Sequence, residues 1–269
     1  MNVKAAGFHA LPEAPRFAFR LILTMLLTTP AFAQQPAAPA PAAQPNADEL
    51  ARQRAAQEEK LHNDWADLHK YQDANARLAA PAKNENRVVF MGNSITEGWA
   101  PHFATMFPGK PYIGRGISGQ TTPQMLVRFK QDVVALKPKV VVILAGTNDI
   151  AGNTGPSTLE MIEDNISSMA EIAQANGIRV VLSSILPVYD YPWRPGLEPA
   201  PKIIAVNSWL RNWARAHGAV YLDYHSAMAD GRGGMRPELA ADGVHPTLAG
   251  YQMMAPLAEK AINEALRRR

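Results

Sequence analysis

Between residues 80 and 269, five short apolar runs alternate with longer amphipathic stretches. This alternation predicts an α/β fold: a three-layer α/β/α, flavodoxin-like sandwich with a five-stranded parallel sheet, preceded by an N-terminal amphipathic helix. Two further observations support it. The runs are continuously apolar rather than alternating, as expected of strands covered on both faces. The polar clusters follow the strands, where the ligand site of an open parallel sheet lies.

The elements can be justified in chain order. Residues 1–33 start with scattered basic residues, pass through an apolar stretch from Leu21 to Leu27 and end in Ala31, Phe32 and Ala33. That is the three-part layout of a secretory signal peptide, and the apolar stretch is far shorter than the ~20 residues of a membrane-spanning helix. Residues 34–46 are nearly all Pro, Ala and Gln, which predicts a disordered, semi-rigid linker. Residues 47–79 carry Leu61, Trp65, Leu68, Tyr71, Ala74 and Leu78 at steps of three or four, which predicts one amphipathic helix. Its stripe spans fewer than about three heptads, so docking on the following domain is expected ahead of a coiled coil. Strands are expected at 87–91, 111–114, 140–145, 178–185 and 219–222. Helices are expected near 99–106, 122–136, 157–175, 201–217 and 247–266, with Gly177 and Gly218 as stops.

Composition narrows the chemistry. The 269 residues include no cysteine, which excludes disulfides, thiolate metal sites and a cysteine nucleophile. The net charge is only +3, and Arg267 to Arg269 form the one basic run, so the chain does not read as a nucleic-acid binder.

Four polar clusters follow the expected strands: Gly92-Asn93-Ser94, Ile117-Ser118-Gly119-Gln120, Gly146-Thr147-Asn148-Asp149 and Asp242-Gly243-Val244-His245. Each alone is compatible with ordinary turn or capping chemistry. Together on one sheet edge they assemble an acyl-transfer site. Ser94 is placed as the nucleophile, His245 as its base, and Asp242 as the group that orients and stabilises the imidazole. The Ser94 N–H, the Gly119 N–H and the Asn148 side-chain amide are the expected oxyanion donors.

These four blocks, in this order and spacing, resemble those of the SGNH or GDSL-like hydrolases over roughly residues 84–266. The resemblance implies an esterase that needs no metal or cofactor and acts on acetyl or other acyl esters. One residue departs from the pattern: the usual Gly-Asp-Ser reads Gly92-Asn93-Ser94, which keeps the shape of the aspartate and removes its charge.

Rival readings are weaker. Gly114, Gly116 and Gly119 fit the dinucleotide fingerprint, but the strand before them is short and Asp132 falls inside a helix rather than at a strand end. Ser118 lacks the glycine spacing of a nucleophile elbow. His225 near Asp223 is the alternative base, and His217 is expected to meet helix carbonyls.

Residues 187–201, stiffened by five prolines, carry Tyr189, Tyr191 and Trp193. They form either a loop pinned by buried aromatics or a wall for a sugar ring, with Tyr191, Trp193 and Arg194 as the substrate contacts and Asp190 as a further hydrogen-bonding group. The expected substrate is a small-molecule or carbohydrate ester, met in the periplasm or outside the cell. Lysophospholipase, thioesterase and platelet-activating-factor-acetylhydrolase-like activities are the alternatives.

Overall fold

The computed structural model describes residues 47–268, and the expected signal peptide and linker lie outside them. In chain order the elements are α1 (Ala47–Asn63), α2 (Gln72–Arg77), β1 (Val88–Gly92), α3 (Ser94–Trp99), α4 (Phe103–Met106), β2 (Tyr112–Gly116), α5 (Thr122–Asp132), β3 (Val140–Leu144) and α6 (Thr147–Ile150). They continue with α7 (Leu159–Ala175), β4 (Arg179–Ser183), α8 (Ala200–Ala216), β5 (Val220–Leu222), α9 (His225–Met228) and α10 (Leu248–Arg267).

The five strands pair in the order β2-β1-β3-β4-β5, all parallel. Strand residues alternate between two cores, because successive side chains leave a strand on opposite faces. Val89, Met91, Val141, Ile143, Val180 and Leu182 pack with side chains of α5, α7 and α8 on one face. Val88, Phe90, Val140, Val142, Leu144, Val181 and Val220 pack with those of α3 and α10 on the other. This is the three-layer sandwich expected, and because both faces are covered, ligands have access at the strand ends.

Two segments differ from the sequence reading. The helix expected over 47–79 is broken into α1 and α2. Asp64 accepts the backbone N–H groups of Leu68 and His69 at 2.8 and 3.0 Å, giving the chain a local alternative to helical bonding, and Asp67 takes φ +51°. The link from 64 to 71 docks through polar bonds rather than an apolar stripe. Gln124, Gln120 and Gln131 donate side-chain N–H groups to the carbonyls of Trp65, Ala66 and Leu68 at 2.6, 2.7 and 2.7 Å. Tyr71 donates to the Gly116 carbonyl, and Asn75 reaches Asp132 at 2.7 Å. The helix expected near 99–106 instead begins at Ser94, directly after β1, and passes through a 3-10 turn at Ala100–His102 into α4.

Arg128 of α5 is completely buried beneath the strand ends. It bonds to Asp132 at 3.0 Å, to the Gly92 and Arg115 carbonyls at 2.9 and 3.0 Å, and to the Gln120 side chain at 2.6 Å. A buried guanidinium is tolerated only when its donors are satisfied. Here they tie β1, β2 and the loop after β2 together.

Candidate active site

Ser94 opens α3 at the carboxyl end of β1, and the side chain of Asn93 caps that helix by accepting the Ile95 N–H at 3.2 Å. The Asp242–His245 turn brings His245 Nε2 to 2.9 Å from Ser94 Oγ. His245 Nδ1 in turn lies 2.6 Å from Asp242 Oδ2. The other carboxylate oxygen of Asp242 accepts the backbone N–H groups of Val244 and His245 at 2.9 and 2.7 Å. Burial pushes the Asp242 carboxyl up, but the bonds from the His245 ring and the two backbone N–H groups outweigh it and hold the group below the usual aspartate range. The carboxylate therefore stays ionised beside the imidazole.

The loops after β1, β2 and β3 are bonded to one another. Glu97 of α3 accepts both the N–H and the hydroxyl of Ser118 at 2.7 and 2.5 Å, next to Gly119. Asn148 Nδ2 donates to the Gln120 carbonyl at 2.9 Å. Asn153 Nδ2 donates to the Gly119 carbonyl at 3.3 Å. Gly119 has φ +78°, a conformation that favours glycine there. Asp149 caps α5 through the Thr122 N–H and hydroxyl, and burial raises its carboxyl against those bonds.

Ser94, His245 and Asp242 are thus brought into bonding contact, and Gly119 and Asn148 are tied into adjoining loops. The alternative base is not. His225 starts α9, bonded through its backbone N–H to Ser184 Oγ at 2.8 Å, while Ser94 is held by His245. His217 meets the Trp213 carbonyl at 2.9 Å, as expected of a helix end.

The proline-rich loop corrects part of the expected substrate wall. Tyr191 is fully buried, with its hydroxyl bonded to Thr147 at 2.9 and 3.0 Å, so it pins the loop to the start of α6 and does not face substrate. Burial pushes its phenol up to about 12. Asp190 accepts the N–H groups of Tyr191 and Gly196 at 2.9 and 2.7 Å, and so serves the loop itself. Trp193 is 41% exposed, and its ring centroid lies 6.1 Å from that of His245. Its indole N–H bonds to Asn153 at 3.1 Å. With Arg194 it lines a cleft of about 750 Å³ whose lining also includes Gly119, Gln120, Asp64, Trp65 and Asp67.

The sequence reading missed Glu97, whose spacing from Ser94 mimics a capping box, and the 64–71 wall, which carries no local motif. Among the described residues, no cluster of three or more His, Asp or Glu is arranged to hold a metal ion. No helix among them is long and apolar enough to cross a membrane.

A parallel sheet whose carboxyl edge presents a Ser–His–Asp chain of hydrogen bonds defines an acyl hydrolase. The comparisons with known proteins agree. Residues 90–253 match the GDSL-like lipase/acylhydrolase family, and the chain belongs to that family. It is therefore an esterase or acylhydrolase. It is 29% identical to an esterase, TesA, of Pseudomonas aeruginosa over 168 residues, 59% of this chain and 75% of that one. It is 25% identical to an acetylxylan esterase of Xylanibacter ruminicola over 223 residues, 69% of this chain but only 45% of that protein. The crystal structure of a GDSL-like lipase from Bacteroides thetaiotaomicron superposes with a TM-score of 0.73 at 46% identity, covering 75% of this chain and all of the other.

Proposed function

We propose that the protein removes short acyl groups, acetyl above all, from carbohydrate esters outside the cytoplasm, using Ser94, His245 and Asp242 as its triad. The observation that carries this reading is the continuous bond chain Ser94 Oγ–His245 Nε2 and Nδ1–Asp242. His245 Nε2 takes the Ser94 hydroxyl proton as Oγ bonds to the ester carbonyl carbon. The carbonyl oxygen becomes an oxyanion, met by the N–H groups of Ser94 and Gly119 and the Asn148 amide. The tetrahedral species collapses with cleavage of the C–O bond to the alcohol, which leaves with the proton from His245. Water then repeats the sequence on the acyl-serine, releasing acid and free Ser94.

Two features favour a sugar alcohol. The cleft beside Gly119 mixes flat rings, Trp65 and Trp193, with polar groups such as Asn153, Thr154 and Arg194, rather than presenting a broad aliphatic lid. The acetylxylan esterase among the relatives is consistent with that class. Export rests on the signal-peptide layout of residues 1–33.

The test is a panel of acetylated xylo-oligosaccharides, p-nitrophenyl esters of increasing chain length and lysophospholipids, with Ser94→Ala as the blank. The expected order of kcat/KM places acetylated sugars and short esters first. Preference for long-chain or lysophospholipid substrates would overturn the carbohydrate reading and put the lipid alternative in its place.

A further inference from the structure

We propose that Trp65, on the segment that precedes the catalytic sandwich, faces Trp193 across the cleft and forms with it a two-sided aromatic subsite for a sugar ring of the departing alcohol. The inference rests on the carbohydrate reading above and deepens it.

The first observation is how firmly the segment is held. Three consecutive-turn carbonyls, those of Trp65, Ala66 and Leu68, are each gripped by a glutamine of the sandwich at 2.6–2.7 Å. Lys70 adds an ion pair to Glu97 at 2.8 Å, and Tyr71 lies under the Arg115 guanidinium at 4.7 Å. Asp64 closes the turn by accepting the N–H groups of Leu68 and His69. A segment fixed at so many points is a preformed wall, and preforming a wall lowers the ordering cost of binding.

The second observation is what this fixed backbone does with its largest side chain. Ala66 is buried at 3%, whereas the neighbouring Trp65 is left 41% exposed and lines the cleft. Trp193, also 41% exposed, lines the same cleft from the proline-rich loop, held there by Tyr191 beneath it and by Asn153 on its indole N–H. Gly119 and Gln120, on the loop that carries the proposed oxyanion glycine, also line it. Its volume, about 750 Å³, falls within the roughly 300–1,000 Å³ of small-molecule sites.

The chemistry between the two indoles suits a pyranose. The C–H faces of a sugar ring lie against aromatic planes, and its hydroxyls need polar groups at the ring's edge. Asn153, Thr154 and Arg194, which line the same cleft, are such groups.

Gln120 links the wall to the chemistry. Its side chain donates to Ala66 and accepts from Arg128, while its carbonyl accepts from Asn148. A sugar seated against Trp65 therefore rests on the residue that orients the oxyanion amide.

Binding is measured by intrinsic fluorescence with xylotriose as the probe, in the full chain carrying Ser94→Ala so that no turnover intervenes. Adding Trp65→Ala is expected to weaken xylotriose binding about 3- to 12-fold, the size of one aromatic contact. Trp65→Phe, which keeps a ring, is expected to recover most of it. In the active enzyme, Trp65→Ala is expected to raise KM for an acetylated xylo-oligosaccharide with a much smaller change in kcat, and circular dichroism and melting confirm folding.

Wild-type xylotriose affinity in Trp65→Ala would overturn the subsite. So would an equal loss on p-nitrophenyl acetate and on the sugar, which is the mark of a purely structural role. If the unaltered enzyme cleaves no acetylated sugar, the carbohydrate reading falls and this subsite with it. If the enzyme cleaves such sugars and Trp65→Ala matches it, the subsite alone falls.

Discussion

Asn148 Nδ2 donates to the backbone carbonyl of Gln120 at 2.9 Å, and this bond fixes which way the Asn148 amide faces. An amide NH₂ has two donor hydrogens. With one held by Gln120, the second is fixed in the same plane before substrate arrives, which is the preorganisation an oxyanion donor requires. Asn148→Ala is therefore expected to lower kcat on p-nitrophenyl acetate by about 10²–10³, or roughly 2.7–4 kcal/mol of barrier, with little change in KM. It also leaves the Gln120 carbonyl without its partner, so melting temperature should fall in the same variant. A kcat within fivefold of the parent would remove Asn148 from the oxyanion site.

The triad prediction follows from the bond chain. Ser94→Ala and His245→Ala should each abolish turnover in a folded protein, and the double variant should be no worse, because the two act as one unit. Asp242→Asn keeps the shape of the turn but loses the charge that stabilises the imidazolium, so a loss on the order of 10⁴-fold is expected. Steady-state kinetics on p-nitrophenyl acetate measure all four variants. Additive losses in the double variant would show that Ser94 and His245 do not work on the same step.

The sheet and the contact of Ser94, His245 and Asp242 were legible in the sequence for the same reason. Val140 to Leu144 is apolar at every position because both faces are buried, and a parallel sheet puts the polar loops after its strands at one edge. The broken helix at Asp64 was hidden because periodicity registers side chains and not the backbone break: Trp65 and Leu68 keep helical spacing while Asp64 captures the N–H groups beyond them. Tyr191 and Trp193 were indistinguishable as types. Only the packing against Thr147 shows that one ring pins the loop while the other faces the cleft. Glu97 and the three glutamines were silent because their partners, the Ser118 N–H and hydroxyl and the carbonyls of 65, 66 and 68, are distant in sequence and mostly main-chain.

Asn93 tests whether the missing family aspartate matters. Its Oδ1 accepts the Ile95 N–H at 3.2 Å, a role a carboxylate oxygen fills equally well. Asn93→Asp should fold normally and keep kcat within about tenfold. A carboxylate near the site favours the cationic imidazole, so the acid limb of the kcat/KM profile should move to higher pH. A larger loss with an unmoved profile would show that the amide itself takes part in the reaction.

Glu97 gives a prediction in which stability and catalysis are read together. Burial raises its carboxyl, but the bonds from Lys70 and from the Ser118 hydroxyl and N–H outweigh it, leaving the group below the usual glutamate range in the folded protein. Its ionised form therefore stabilises the fold. That contribution is complete above the unfolded value of about 4.3 and is lost as pH falls through the lower folded value. Glu97→Gln removes it, and Lys70 and Tyr71, whose values Glu97 also raises, do not titrate between pH 3 and pH 7. The melting temperatures should thus differ most near pH 7 and converge as pH falls below about 4.3 and through the lower folded value. Because the group is partly exposed, solvent screening limits the gap to ~1 kcal/mol, or about 2–4 °C. The same substitution loosens Ser118, beside Gly119, so kcat at pH 7 should fall by about three- to tenfold. Melting curves that stay parallel from pH 7 to pH 3 would mean that the Glu97 carboxylate contributes nothing to the fold, and with them an unchanged kcat would mean that Gly119 is positioned without it.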